Sequence, residues 1–289
     1  MRNRPQLRRK ASLSSAPRNR KGLIATAIAA GMALIGFSTV AAISAPPARD
    51  ENLCIIGQPP GTIVALVVDA SGEFTEVQQQ AMLDRIARAL TYTAAPTTLG
   101  RIVTNETRID VYDATAAVGE TLHPVFSKCS PTALHGLQRI SGNSRRLEHD
   151  YERNFEAPLL ATLADLVGHA ESDRSPILES LTAASERSFA GRTVADAQKV
   201  LLVSDLLQNS EVLSFYRDGV TDFSRFEQSS NFNAVRPDLR GADVCVVSIT
   251  RANEVENRLQ TTRLVRWWED YIRASRGRTD IFCFGEFQI

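Results

Sequence analysis

Residues 62–68, Thr-Ile-Val-Ala-Leu-Val-Val, form an apolar run without alternation that ends abruptly in Asp69-Ala70-Ser71-Gly72-Glu73. Such a run predicts a strand buried on both faces, as in a parallel sheet covered by helices. Val200 to Ser204, ending at Asp205, and Asp243 to Ile249 repeat the pattern. Thr107 to Tyr112 alternates instead, which predicts a half-exposed edge strand. A short strand is expected around Leu122 to Phe126, with Cys129 in the loop beyond it, and a last one over Thr279 to Phe284. Between these runs the period changes to that of helices. Thr75-Glu76-Val77-Gln78 reads as a capping box opening a helix whose stripe is Val77, Met82, Ile86 and Leu90. A long helical pattern spans Arg145 to Ala170, where Pro158 should kink or split it. Ser175-Pro176 opens another helix, with Ser175 as N-cap and Pro176 at the first helical position. Asn209 to Arg240 is polar and dotted with aromatics, and predicts short helices at best. Arg263 to Arg276 closes the series. Six strands alternating with helices predict an α/β fold: a Rossmann-like, doubly wound, mostly parallel sheet with helices on both faces.

Charge divides the chain. Residues 1–45 carry eight basic side chains and no acid, whereas the remainder holds 25 basic against 33 acidic residues. An acidic body excludes the clustered Lys/Arg surface that nucleic acid requires. Residues 22–45 contain no charge, and 24 residues of helix would rise about 36 Å, enough to cross a bilayer core of about 30 Å. The expected organisation is a basic cytoplasmic tail (1–21), a transmembrane anchor or signal peptide (22–45), a linker (46–60) and one folded domain (61–289). Eight basic residues precede the apolar stretch and only Arg49 closely follows it, a bias that puts the folded domain outside the cytoplasm.

Export makes disulfides admissible. Cys54 in the linker and Cys129 after an early strand form the candidate pair. Cys245 and Cys283 fall within apolar strands and are expected to be inert packing residues.

The polar residues at the strand ends carry the chemistry. Asp69 and Ser71 follow the first strand, Ser175 opens a helix, and Asp205 ends Val-Leu-Leu-Val-Ser-Asp. In this order and character, residues 60–285 resemble the von Willebrand factor A (vWA) family, with its Asp-x-Ser-x-Ser motif, later Thr or Ser, and final Asp. The resemblance implies a divalent cation, Mg²⁺ by preference, on Asp69, Ser71, Ser175 and Asp205, with an open position for a partner protein's carboxylate. Glu73 replaces the last serine of the motif. This third acid would strengthen cation binding, but would repel an incoming carboxylate or fill the open position itself. Chemically, two carboxylates and two hydroxyls make the all-oxygen set that Mg²⁺ takes. Cys129-Ser130-Pro131 and Phe155-Glu156-Ala157-Pro158-Leu159 more loosely resemble membrane-anchored bacterial members, implying a single-pass inner-membrane protein with a periplasmic domain.

Other motifs are absent. His123, His135, His149 and His169 have no metal-ligand spacing, and there is no nucleophile elbow, Walker A loop or dinucleotide fingerprint. Trp267, Trp268 and Tyr271 share one helix, with Tyr271 and one Trp expected in the core and the other Trp open to an interface. The leading expectation is therefore a tethered domain that binds a protein rather than an enzyme, with specificity coming from Asn209 to Arg240. Two alternatives stand beside it. One is a metal-dependent hydrolase using Asp69, Glu73 and Asp205 on a phosphate ester. The other is a structural subunit of an envelope complex with a vestigial metal site.

Overall fold

The structure is a computed structural model that describes residues 47–71, 75–90, 106–115, 122–131, 149–168, 172–189, 197–249 and 258–281. Residues 47–289 cluster as one compact unit. The expected anchor at 22–45 lies outside the described residues, and no helix among those described is long and apolar enough to cross a membrane.

Six strands make one sheet: β1 (Thr62–Val68), β2 (Thr107–Asp113), β3 (Phe126–Cys129), β4 (Ala197–Ser204), β5 (Asp243–Ser248) and β6 (Arg278–Ile281), in the order β3-β2-β1-β4-β5-β6. All neighbours are parallel except β2 and β3. The α/β class and mostly parallel sheet are as the apolar runs predict. Every residue of β1 is buried because alternate side chains enter two cores. Val64, Leu66 and Val68 meet Met82 and Ile86 of α1 (Glu76–Leu90) and Leu159 and Leu163 of α2 (Ala157–Gly168). Ile63, Ala65 and Val67 meet α3 (Ile177–Phe189) and α7 (Thr262–Ala274) on the other face.

Several local expectations need correction. β2 is an interior strand, not an edge, and its alternating polar residues are paired under α3: Asp110 is 2% exposed and Tyr112 fully buried. Cys129 is the buried last residue of β3 rather than a loop residue. The capping box is present, since Thr75 N donates to Gln78 Oε1 at 2.9 Å and Gln78 N to Thr75 Oγ1 at 3.3 Å. Val77, however, is 70% exposed. Five residues from Met82, it sits about 140° around the helix from the buried stripe.

Pro158 does not split its helix. A π-turn at Glu152–Glu156, with Ala157 N donating to Glu152 O, leads straight into α2. Proline cannot donate to the carbonyl four residues back, and Lys128 Nζ reaches that Asn154 carbonyl at 3.2 Å instead.

Residues 47–60, expected to be a linker, are fastened to the domain. Arg49 forks onto Glu106 (2.6 and 2.9 Å), Cys129 N donates to Asn52 O at 2.8 Å, and Cys54 is disulfide-bonded to Cys129. The predicted pair is therefore formed. Cys245 is also disulfide-bonded rather than an inert thiol. Cys283, the only other cysteine in the sequence, lies outside the described residues. The Cys54–Cys129 crosslink joins residues 75 apart, a span that restricts the unfolded chain substantially. Replacing both with serine is expected to lower unfolding free energy by about 2–5 kcal/mol, measured by urea titration of oxidised wild type against the double variant.

Candidate functional site

β1 and β4 lie side by side, yet the chain leaves them toward opposite halves of the sheet. A doubly wound sheet of this order binds ligands at that point of divergence, beyond the carboxyl ends of the strands. Asp69 and Asp205 occupy those ends, each one residue past its strand.

Asp69 is fully buried, and three groups converge on its carboxylate. Ser175 Oγ donates to Oδ2 at 2.7 Å, Ser204 Oγ donates to the same oxygen at 2.8 Å, and Ser71 N donates to Oδ1 at 3.1 Å. Buried charge requires such hydrogen bonding, since its lone pairs have lost water. Asp205, 3% exposed, accepts Leu207 N on Oδ1 at 2.9 Å. Between them Leu206 takes a left-handed conformation (φ 66°), rare for a bulky side chain and worth about 1–3 kcal/mol of strain. The turn is fixed by Leu206 N donating to Ser204 Oγ (2.8 Å) and Trp268 Nε1 donating to Leu206 O (2.9 Å).

Ser175 reaches Asp69 because it does not cap its helix, contrary to expectation. It forms an extended bridge with Asn209, each amide donating to the other's carbonyl at 2.9 Å. The helix starts at Ile177, and its Leu178 amide is met by Gln208 Oε1 at 2.9 Å. Gln208, fully buried, also donates to Glu179 Oε2 and Ser210 Oγ. Ser204, Gln208 and Asn209 were thus missed by sequence reasoning. A serine closing the aliphatic run at 200–203 and a glutamine after two leucines were the available signals.

Of the predicted set, Asp69, Ser71 and Ser175 are brought together and Asp205 stands at the neighbouring strand end. Glu73 lies outside the described residues. Among the described residues no group of three or more His, Cys, Asp or Glu side chains could hold a metal ion. The groups here are different in kind: hydroxyls that donate hydrogen bonds to Asp69 and keep lone pairs, beside a second carboxylate. Their oxygens are of the ligand type that Mg²⁺ takes. Asp69, with three of its roughly four lone-pair positions taken, fits the role of holding the hydroxyls rather than of a direct ligand. His123 and His149 are exposed. No protein-family model matches the sequence, and no curated protein matches it.

Proposed function

We propose that the chain is a vWA-like, membrane-tethered, extracytoplasmic domain that binds a protein partner at the β1–β4 rim through a divalent cation. Ser71, Ser175 and Asp205 would hold the ion, Mg²⁺ by preference, and Asp69 would orient the Ser175 hydroxyl. When bound, the cation supplies positive charge for a partner carboxylate. Glu73 tunes that charge downward. The single observation that carries the reading is the 2.7 Å hydrogen bond between Ser175 Oγ and Asp69 Oδ2, which joins motif segments 106 residues apart.

Thermal unfolding of the full-length chain with Mg²⁺, Mn²⁺ or chelator tests it. A native-state ligand at 100 times its Kd adds about 2.7 kcal/mol of stability, so the midpoint should rise with metal and fall back in chelator. Ser175→Ala should abolish the rise, and Glu73→Ser should enhance capture of a carboxylate-bearing partner. Metals that shift nothing would remove the basis of the cation reading. Metal-dependent turnover of a simple phosphodiester would favour a hydrolase instead.

A further inference from the structure

A cavity of about 620 Å³ opens at the opposite end of the sheet from the rim. Its wall includes Arg108 near the start of β2 and Ser127 of β3, and its roof is the fastened segment that carries Asp50, Ile55 and Ile56 and leads to Pro60. Arg108 pairs with Ile63, six residues before Asp69, which sets the cavity about 20 Å along the sheet from the rim. Its volume lies within the range of small-molecule and peptide sites.

The roof is built rather than loose. Asp50 Oδ1 accepts the amides of Asn52 (3.0 Å) and Cys54 (2.9 Å), and the disulfide, the Arg49–Glu106 fork and the Arg49–Ile55 bridge tie its ends. Leu53 is held in the left-handed region (φ 63°), a conformation that persists only where surrounding structure imposes it.

The polar groups facing this space are complementary to one ligand class. Arg108 spends Nε and Nη2 on Asp110 and the Ser188 carbonyl, and among the described residues Nη1 has no hydrogen-bond partner. Because Asp110 already balances the guanidinium, Nη1 offers a donor to a neutral acceptor such as a carbonyl more than a site for a full anion. The second oxygen of Asp50, on an exposed carboxylate, offers negative charge. Ile55, Pro60 and Ile56, the last 64% exposed, supply an apolar wall between water and the polar groups.

We propose that this cavity binds the free amino terminus of a peptide that begins with an apolar residue. The ammonium pairs with Asp50, the first carbonyl accepts from Arg108 Nη1, and the first side chain packs on Ile55, Ile56 and Pro60. The site is independent of the rim and of any cation there.

Methyl NMR of the full-length, isoleucine-labelled chain titrated with the tripeptide Leu-Gly-Gly tests this. Saturable shifts of the Ile55 and Ile56 methyls are expected, and N-acetylation of the peptide should weaken binding at least tenfold. Asp50→Asn keeps the oxygen that accepts the two loop amides and should weaken binding of the free-amine peptide by a similar factor. Chelator, which would empty the distant rim, should leave the titration unchanged, so failure of the cation reading would not be mistaken for failure of this one. Absence of shifts at Ile55 and Ile56, equal binding of the acetylated peptide, or an Asp50→Asn variant that binds as well as wild type would each overturn the assignment.

Discussion

Asp110→Ala is expected to destabilise the domain by about 3–5 kcal/mol, the loss seen when one member of a buried ion pair is removed. The Asp110 carboxylate lies inside the sheet and accepts from Arg108 Nη2 at 2.6 Å, Ser127 Oγ at 2.7 Å and Ser188 Oγ at 2.8 Å. Ser188 Oγ also lies 2.8 Å from the Tyr112 hydroxyl, which burial pushes up to about 12. Alanine would leave a guanidinium charge and two hydroxyls without their acceptor under α3. The paired replacement Arg108→Met with Asp110→Leu should recover most of the loss, because charge and countercharge leave together. Urea titration of the three proteins measures this. A cost below about 1 kcal/mol for Asp110→Ala, as for exposed pairs, would mean that water entering beside Arg108, whose side chain is 14% exposed, screens the pair.

Trp267→Ala should have an effect of similar size, about 3–5 kcal/mol, from lost transfer energy and the cavity left behind. Trp267 is 2% exposed and meets Phe215, Phe223, Phe226, Trp268 and Tyr271 with ring centroids 5.1–5.8 Å apart. Three of those contacts are T-shaped, an arrangement that adds to simple burial. Trp267→Phe should retain more than half of the lost stability, since it keeps an aromatic edge in the cluster. The readout is the midpoint of thermal unfolding together with loss of near-ultraviolet dichroism. A variant that melts like wild type would show that the three short helices can close over the gap.

Those helices, α4 (Phe215–Asp218), α5 (Phe223–Glu227) and α6 (Ser230–Val235), explain one error of sequence reading. An interface was expected for one of the adjacent tryptophans because a helix resting on a sheet buries one face only. The segment 209–240 adds a second surface, and both Trp267 and Trp268 are buried between it and the sheet. The phenylalanines of that segment, read as adornments of a polar insert, belong to the core. They recur at no helical or strand period long enough to reveal it.

β1 and β4 were legible because a strand buried on both faces needs an unbroken apolar run, and residues 62–68 and 200–203 each supply one that ends at a polar residue. β2 misled for the converse reason. Arg108, Asp110 and Tyr112 alternate as solvent-facing residues would, and only partners 17–80 residues away convert them into an interior network. At the rim, Asp69, Ser71, Ser175 and Asp205 could be found by their positions after apolar runs. Ser204 and Gln208 could not, because their work is to satisfy buried groups that the fold alone creates.

The crosslink at Cys54 has a mechanical corollary. Load reaching the domain from its amino-terminal side meets Cys54 before it meets Thr62, the first residue of the central strand. From there it divides, part passing along the chain into β1 and part passing covalently to Cys129 at the end of β3. β1 lies between β2 and β4, whereas β3 is at the sheet margin. Tension is thus shared between the middle of the sheet and its border, and peeling β1 out from its start would require drawing the border strand along with it.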